Sequence, residues 1–512
     1  MRYLLVLISL FLIYPSHATE RAVDFTAPEL PQSGHIVIPV REGLQWTTAG
    51  QQADQRLNAA LSRAAENAGF TGKAGKTLTL FSVGDYARID LVGVAPTPLT
   101  QAELQDFGGA VATAIKKDSG LDIQILAEGI ETGVGNPGAH IALGFQLGDY
   151  AFKRYKRTKG TDRQQGRVVI LVGNAESSAA HYREELAHLA KGVAFARDIG
   201  NEPGNVIYPE SFVERTRTAM KGLRRVKIEV MAQNKLERLG MGALLGVGAG
   251  SAREPRLLIV DYRGRAGDET DMALVGKGIS FDTGGISIKP NKNMWKMKSD
   301  LSGAAAVMGT LMQLAAREAA VNVVAVAALA ENMPSGTAIR PGDVLTSLSG
   351  KTIEIMSTDA EGRLVLADAV TYVQQRYKPA LLVDVATLTG SAARALGDDY
   401  GALFTRDDTL TELFANAGTQ SGETVWPLPL NAGHYEQLDS LIADLKNTAD
   451  KPPGASTGAA FIGSFIDAEQ AWVHLDIAGV DWRDKALPTV PKGHAGWGVR
   501  LLDQVIRIRL NQ

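Results

Sequence analysis

The sequence predicts an α/β protein with two domains, a smaller N-terminal α/β domain and a larger C-terminal α/β domain. The larger one should contain a mainly parallel sheet flanked by helices. The chain has 512 residues, more than a single hydrophobic core usually organises. Hydrophobic residues make up 45% of it, which is typical of globular proteins. Short runs rich in Val, Ile and Leu alternate with helical patterns, as they do in sheets covered on both faces.

The first 18 residues have the three-part pattern of a cleaved signal peptide. Arg2 supplies a positive charge, Leu4 to Tyr14 is almost wholly apolar, and the segment ends in the small residue Ala18. The apolar run is too short for a stable membrane anchor, which needs ~20 residues. We therefore predict export to the periplasm or the medium. The alternatives are a buried N-terminal strand or helix and a cytoplasmic protein.

Composition excludes several classes of function. The chain has no cysteine, which excludes thiol catalysis, cysteine-ligated zinc and disulfides. Large exported domains do not need disulfides, so this is compatible with export. The formal net charge of −3 offers no general attraction to nucleic acid, and we expect no nucleic-acid partner.

Residues 19–177 are predicted to form the N-terminal α/β domain. Strand patterns at Thr77–Val83 and Arg167–Val172 and a helical pattern at Leu104–Lys117 lie within it. A long helical pattern at residues 178–199 then runs into the helix-breaking segment Asn201–Asn205. We interpret it as the helix that connects the two domains.

Residues 200–512 are predicted to form the catalytic domain. Short apolar runs of strand length alternate with helical patterns in this part of the chain. The predicted strands are Arg256–Tyr262, Met272–Val275, Val323–Ala330 and Leu381–Val385, and the clearest helices are Gly303–Ala316 and Leu364–Gln375. Functional groups in such domains gather at the carboxyl ends of the strands.

Charged residues are concentrated in two otherwise apolar segments of this domain. In the first, Lys277 and Asp282 follow the strand that ends at Val275, so we expect them in a loop at the strand end. Lys289 and Asp300 belong to the same loop system. Glycines 284 and 285 would let the backbone turn sharply there.

The second charged segment has Asp359, Glu361 and Arg363 at alternate positions. In an extended backbone, this spacing puts the three side chains on one side. Leu364 then leads into a helix. Solvent-exposed turns would also account for either segment.

The four carboxylates of the two segments need cationic partners if they are buried together. Two divalent ions would balance four negative charges, and oxygen donors suit zinc, manganese or magnesium. No HExxH motif is present, which excludes the common helical zinc-protease arrangement. His474 is interpreted as a core residue, not a ligand. The carboxylates concerned are Asp282, Asp300, Asp359 and Glu361.

These segments resemble the motifs of the leucyl aminopeptidase family, also called the cytosol aminopeptidase family. The family signature NTDAEGRL reads STDAEGRL at residues 357–364, a match at seven of eight positions. The segment GKGISFDTGGISIK at residues 276–289 also follows the family closely. With shorter motifs, the resemblance covers residues 201–502.

The resemblance implies a centre of two divalent ions, zinc or manganese, in each subunit. Asp282 and Glu361 would bridge them, which sets the ions ~3.5–4 Å apart. Lys277 can ligate only as the neutral amine, so burial and the adjacent cations must lower its pKa strongly. The implied ligands are Lys277, Asp282, Asp300 and Glu361 for one ion, and Asp282, Asp359 and Glu361 for the other.

The resemblance also implies the reaction, in which a metal-activated bridging water attacks the first peptide bond. Lys289 would polarise the scissile carbonyl oxygen, and Arg363 would anchor a bicarbonate ion that acts as the base. Asp300 and a metal would bind the free α-amine, which limits cleavage to N-terminal residues. Met297 would line a pocket for leucine or another apolar side chain. Backbone groups of Leu388 and Gly390 would hold the substrate chain.

The sequence departs from the family pattern at two places. Ser357 replaces the usual Asn, and the segment GHAG at residues 493–496 stands where the family has GATG. The second change puts the shape of the pocket edge in doubt.

The resemblance also implies peptide substrates and a hexamer of two stacked trimers. Other interpretations are a two-metal phosphoesterase, an exported hexameric scaffold of the same fold without activity, and a DNA-binding architectural protein. The ordered set of Lys277, Lys289 and Arg363 favours the peptidase.

The signal-peptide interpretation makes a direct prediction. Cleavage after Ala18 should leave a mature protein that begins at Thr19, because small residues precede the cleavage site. Mass spectrometry of the periplasmic or secreted fraction measures this terminus. An intact Met1 in a cytosolic product would contradict the prediction.

Overall fold

The computed structural model describes residues 21–115, 120, 122–156 and 166–510, so the predicted signal peptide lies outside the described residues. The N-terminal part consists of strands and helices in the order β1 (Val23–Thr26), β2 (Gly34–Arg41), β3 (Gln45–Trp46), α1 (Thr48–Arg56), α2 (Ala60–Asn67), β4 (Thr77–Val83), β5 (Tyr86–Gly93), α3 (Gln101–Ile115), β6 (Ile123–Leu126), α4 (Pro137–Asp149) and β7 (Val168–Leu171).

These strands form one sheet in the order β1-β7-β6-β2-β5-β4, with β3 paired to β2. The four pairings along β1-β7-β6-β2-β5 are parallel, whereas β4 and β3 pair antiparallel with β5 and β2. The predicted strand Thr77–Val83 is confirmed, and the run at residues 167–172 forms β7. Helix α3 begins three residues before the predicted helix.

A nearly continuous helix joins the two parts of the chain. It consists of α5 (Ala175–His181), a π-helical turn at Tyr182–Leu186 and α6 (Ala187–Asn201). The predicted connecting helix at residues 178–199 is therefore present, but it is longer and contains a π-turn. It ends before Pro203, which cannot continue a helix.

The C-terminal part contains the larger sheet and most of the helices. Its elements are α7 (Pro209–Ala219), β8 (Val226–Met231), α8 (Gln233–Leu239), α9 (Gly242–Gly248), β9 (Arg256–Arg263), β10 (Met272–Asp282), a 3₁₀ turn (Met294–Ser299), α10 (Ser302–Ala316), β11 (Asn322–Asn332), β12 (Val344–Thr346), β13 (Thr352–Glu354), α11 (Gly362–Tyr377), β14 (Leu382–Ala386), α12 (Gly390–Leu396), β15 (Gly401–Thr405), α13 (Asp408–Ser421), β16 (Val425–Pro427), α14 (Ala432–Glu436), β17 (Leu445–Lys446), α15 (Gly454–Gly463), β18 (Trp472–Asp476), β19 (Trp482–Arg483), β20 (Gly493–His494) and α16 (Val499–Arg509).

The large sheet has the strand order β16-β15-β18-β14-β10-β11-β9-β8. Its central strands β18, β14, β10 and β11 are parallel. Strand β15 is antiparallel to β18, and β9 is antiparallel to both β11 and β8. The sheet is therefore mixed, and the predicted parallel arrangement holds at its centre.

Strand β10 is longer than predicted. It continues from Met272 to Asp282 and pairs with β11 over most of its length, so Lys277 and Asp282 lie in the strand and not in a loop. The expectation of a loop after Val275 was wrong because two glycines, at positions 276 and 278, interrupt the apolar pattern without ending the strand. Strand geometry then alternates the side chains between the two faces of the sheet.

Helices cover both faces of β10. Leu274 belongs to the hydrophobic core that includes residues of α10, whereas Val275 belongs to the core that includes residues of α11. Helix α10 approaches the sheet so closely that a Cβ at Gly303 would lie 1.9 Å from the carbonyl oxygen of Val385. This contact brings the start of α10 to the carboxyl end of the central strands.

Arg197, on the connecting helix, binds three separate segments through backbone carbonyls. Its Nη1 donates to Leu147 at 2.7 Å, its Nη2 to Thr489 at 2.7 Å and its Nε to Ala495 at 2.9 Å. The side chain is fully buried, and burial lowers the pKa of Arg197 to about 10. Arg197 thereby links α4 to the C-terminal loops. Among the described residues, no helix is long and apolar enough to cross a membrane.

Replacing Arg197 by Met should destabilise the fold markedly. Three buried carbonyls would lose their donor, at a cost of about 1–3 kcal/mol each. We expect the apparent melting midpoint to fall by about 5 °C or more. Arg224→Met is the matched control, because the Arg224 side chain is 71% exposed; that midpoint should stay within about 1 °C. Equal midpoints for the two variants would contradict the prediction.

Candidate active site

The predicted functional residues meet at the carboxyl end of β10, where α10 and α11 begin. Lys277 is at the centre of one half of this site. Its Nζ lies 2.8 Å from both carboxylate oxygens of Asp300 and 2.8 Å from Glu361 Oε1, and it donates to the Thr387 carbonyl at 2.8 Å. Three segments distant in sequence therefore meet at one buried amine.

Lys289 is at the centre of the other half. Its Nζ lies 2.7 Å from Asp282 Oδ2 and 2.6 Å from Asp359 Oδ1. Asp282, Asp359 and Glu361 each bring one oxygen to within 4.8 Å of the others, and they form a group that could hold a metal ion. All five predicted metal ligands and Lys289 thus belong to one cluster.

The backbone explains how these side chains converge. After β10, the chain reverses through Gly284 at φ 87°, and the N–H of Lys289 donates to the Thr283 carbonyl at 2.8 Å. Glu361 is the residue before α11. Gly362 lacks a side chain where the Lys277 stem passes, since a Cβ there would lie 2.5 Å from Lys277 Cε.

The predicted extended conformation at residues 359–363 was wrong. Asp359 lies in a turn and Arg363 in the first turn of α11. Asp359 and Glu361 still meet at the site, and Arg363 donates from Nη1 to the Asn447 carbonyl at 2.9 Å. Alternation over three residues does not distinguish a strand from a turn that enters a helix.

Crowding of buried carboxylates changes their acidity. Burial, with the charge of Glu361, raises the pKa of Asp282 to about 6, against the opposing effect of the lysines. Burial raises the pKa of Asp300 well above its usual range, and that of Asp359 is raised for the same reason. Burial also acts to raise the pKa of Glu361, but the charges of Lys277 and Lys289 outweigh it and lower that pKa.

The pKa values of both lysines are raised, whereas a lowered pKa was expected for Lys277. Burial lowers the pKa of Lys277, but Asp300, Glu361 and Asp282 outweigh it and raise the pKa above its ordinary value. Burial also lowers the pKa of Lys289, but the carboxylates, Asp282 foremost, outweigh it and raise that pKa. The expected fall at Lys277 depends on divalent cations beside the amine, and the carboxylates alone reverse it.

The site has the donors and the charge that divalent cations require. Glu361 Oε2 is buried and has no hydrogen-bond partner. Four carboxylates face two ammonium groups, so an excess of two negative charges remains for a cation to balance. The site opens to solvent at Asp359, whose side chain is 37% exposed, while that of Glu361 is 3% exposed. The residues present therefore fit a buried metal centre with one accessible side.

Two residues that orient the ligands escaped the sequence analysis. Asn332, at the end of β11, donates from Nδ2 to Asp282 Oδ1 at 2.8 Å and to the Thr358 carbonyl at 3.0 Å. Thr387 Oγ1 donates to Asp300 Oδ1 at 2.6 Å. Both follow predicted strands, and position after a strand was the only signal that could have found them.

The other predicted substrate-binding residues are Met297, Leu388 and Gly390. Met297 is half-buried in the 3₁₀ turn, and Gly390 is exposed at the start of α12. The N–H of Leu388 donates to Asp476 Oδ1 at 3.0 Å, so its carbonyl is the group left for a substrate chain.

The two notable histidines are buried. His474 is in β18, its Nδ1 lies 2.6 Å from Asp384 Oδ1, and its ring stacks on Phe404. The interpretation as a core residue is confirmed. His494, the departure from the family pattern, lies in β20 and contacts Ser302.

Together, the α/β fold and the buried cluster of lysines and carboxylates are those of a metal-dependent hydrolase. The family model described as "Cytosol aminopeptidase family, catalytic domain" matches residues 194–503, and the model of the family's N-terminal domain matches residues 37–159. The chain belongs to the cytosol aminopeptidase family.

Individual relatives agree over nearly the whole chain. A probable cytosol aminopeptidase of Caulobacter vibrioides is 41% identical and covers 92% of this chain and 95% of its own. A probable cytosol aminopeptidase of Brucella ovis is also 41% identical and covers 95% of this chain and 98% of its own. The chain is therefore a peptide hydrolase, which favours the peptidase over the phosphoesterase.

Solved structures have the same fold. A mutant tomato leucine aminopeptidase has a TM-score of 0.84 at 29% identity, over 96% of this chain and 97% of its own. The bottromycin maturation enzyme BotP in complex with Mn has a TM-score of 0.81 at 31% identity, over 93% and 99%. The predicted fold class, two α/β domains, is confirmed, and the chain is a metallo-aminopeptidase.

Proposed function

We propose that this protein removes single apolar residues, leucine foremost, from the N-termini of peptides with the help of two divalent ions, zinc or manganese. The observation that carries the proposal is the convergence of four carboxylates on Lys277 and Lys289. Asp282 and Glu361 would contribute to holding both ions. Lys277 and Asp300 would help to hold one of them, and Asp359 the other.

Bound at these residues, divalent ions would lower the pKa of a water molecule and polarise the scissile carbonyl group. Lys289 is 22% exposed and lies beside the accessible Asp359, a position that supports hydrogen-bond donation to the developing oxyanion. Asp300 would accept a hydrogen bond from the free α-amine of the substrate. The lone pair of the same amine would bind a metal ion. Acylation delocalises that lone pair, which accounts for the restriction to free N-termini.

Arg363 is proposed as the anchor of a bicarbonate ion that takes the proton of the attacking water. Its buried Nε has no hydrogen-bond partner, and burial lowers the pKa of Arg363 to about 10. A buried guanidinium with an unpaired donor suits a small anion. A Cβ at Gly458 would lie 3.2 Å from Arg363 Nη2 and 3.2 Å from the Leu388 side chain, so Nη2 lies near both residues.

Apolar groups near the open side support the preference for an apolar first residue. Met297 is half-buried in the turn that carries Asp300, and Ile288, next to Lys289, is 63% exposed.

The hexamer implied by the resemblance stays a prediction. So does export: the matched relatives are called cytosol aminopeptidases, and the mature terminus decides between the two compartments.

The central test compares leucine amide with N-acetyl-leucine amide. Metal-stripped enzyme should be inactive, and zinc or manganese should restore hydrolysis of leucine amide alone, because only its α-amine is free. Release of leucine measures both reactions. Hydrolysis of the acetylated compound at a similar rate, or full activity without metal, would overturn the proposal.

The bridging assignment predicts unequal metal losses. Asp282→Ala or Glu361→Ala should lose both ions, because each removes a ligand shared between them, whereas Lys277→Ala should weaken one ion preferentially. Metal content after dialysis, by elemental analysis, distinguishes the two patterns. The assignment fails if all three variants retain one ion equally.

The proposed role of Lys289 separates chemistry from binding. If it acts on the oxyanion, Lys289→Ala should lower kcat on leucine amide about 10²–10³-fold and leave KM nearly unchanged. Lys292→Ala is the matched control, an exposed lysine three residues along the same loop. Full kcat in Lys289→Ala, or an effect confined to KM, would contradict the role.

A further inference from the structure

A buried chain of polar side chains lies behind the Asp300 half of the site, and the proposed reaction does not use it. Asp481 Oδ2 accepts hydrogen bonds from Ser299 Oγ at 2.8 Å and from Ser302 Oγ at 3.2 Å. Ser302 Oγ also lies 2.8 Å from His494 Nε2 and contacts the Ser299 carbonyl. The two serines flank Asp300 in sequence, so this chain is attached to the backbone on both sides of it.

The hydrogen bonds around His494 fix the direction of donation. The Gly496 N–H donates to His494 Nδ1 at 3.2 Å, which makes Nδ1 the acceptor of the ring. Burial, with the charges of Arg197 and Lys298, lowers the pKa of His494 to about 3, so the ring is neutral and carries its proton on Nε2. His494 therefore donates to Ser302 Oγ, whose own proton is left for Asp481 or the Ser299 carbonyl.

The C-terminal hairpin formed by β19 and β20 also contacts the 3₁₀ turn at Met294–Ser299. The rings of Trp482 and Trp295 meet edge to face with centroids 5.5 Å apart, and Asp484 pairs with Lys296 at 2.9 Å. The hairpin consists of β19 and β20, with Asp481 just before it and His494 in its second strand. We call the contacts of the hairpin and Asp481 with the turn and with Ser302 the hairpin brace.

The turn that the brace contacts is also held at Lys298, which donates to the Asn201 carbonyl at 2.8 Å. A 3₁₀ turn has weaker internal hydrogen bonds than an α-helix, and the N–H of Asp300 donates to the Met297 carbonyl at 3.3 Å. The Asp300 carboxylate contacts Lys277, which lies in β10, and Thr387, which directly follows β14. A shift of the turn would therefore move the carboxylate away from partners that do not follow it.

We propose that Asp481, Ser302 and His494 are positioning residues that hold the Asp300 turn in the geometry required for metal and amine binding. The inference rests on the proposed role of Asp300 as a metal ligand. Displacements of about 1 Å in such groups are enough to impair catalysis. The brace acts on one ligand of one ion, so its loss affects the two ions unequally.

Ser302→Ala is the principal test, because it removes the hydroxyl shared by Asp481 and His494 and creates almost no cavity. Titration of metal-stripped enzyme with Mn²⁺ should show the ion held by Asp300 bound about 10–100-fold less tightly, the usual cost of losing an outer partner of a metal ligand. The affinity of the other ion should change less than about threefold. On leucine amide, kcat should fall by a similar 10–100-fold.

Thr310→Val is the matched control for the hydroxyl. Thr310 lies in the same helix, is buried, and donates only to the Ala306 carbonyl one turn earlier at 2.9 Å. This variant should keep both metal affinities and kcat within about twofold of the parent. Similar effects of Ser302→Ala and Thr310→Val on metal binding and kcat would overturn the proposal.

A pair of variants at His494 tests the donor itself. His494→Gln retains an N–H that can reach Ser302 Oγ and should keep the metal affinity within about threefold, whereas His494→Leu should reproduce Ser302→Ala. Equal loss of both ions together with a lower melting midpoint in Ser302→Ala would show a structural role only and overturn the proposal. A parent enzyme that binds neither Mn²⁺ nor Zn²⁺ would instead refute the proposed function, and this inference with it.

Discussion

Lys277 and Lys289 each hold two carboxylates that would otherwise repel one another in a pocket largely closed to water. Buried like charges are tolerated only when cations or hydrogen-bond donors face them. Helices α10 and α11 begin beside two of these groups, Asp300 and Glu361. The partial positive charge of a helix N-terminus adds to the same compensation. The excess of carboxylate over ammonium is the property that makes this a site for divalent cations.

Compensation of this kind requires close approach between backbones, which glycines at the starts of α10 and α11 permit. A side chain at Gly303 would collide with Val385, and one at Gly362 would collide with the stem of Lys277. The two helices can therefore begin within reach of the end of β10. Dense packing on both faces of that strand then leaves little freedom for the ligands to move.

The connecting helix is coupled to the site by polar contacts at its end. Lys298 donates to the Asn201 carbonyl at 2.8 Å, and the His494 N–H donates to Asn201 Oδ1 at 3.2 Å. Asn201 therefore touches both the turn that carries Asp300 and the hairpin brace. With Arg197 a turn earlier, the helix joins the N-terminal part, the C-terminal loops and one side of the active site.

The sequence by itself determined the α/β class, most strand positions and the identity of the charged residues, because apolar periodicity and short motifs are local properties of the chain. It misjudged the end of β10 and the conformation of residues 359–363, where glycines and turns interrupt a local pattern. Only the tertiary structure decided that Asn332 and Thr387 orient the ligands, and that Asp481, Ser302 and His494 meet behind Asp300. Ser302 and His494 are 192 positions apart in the chain, and such a contact depends on the tertiary fold that brings β20 to the start of α10, which no local pattern encodes.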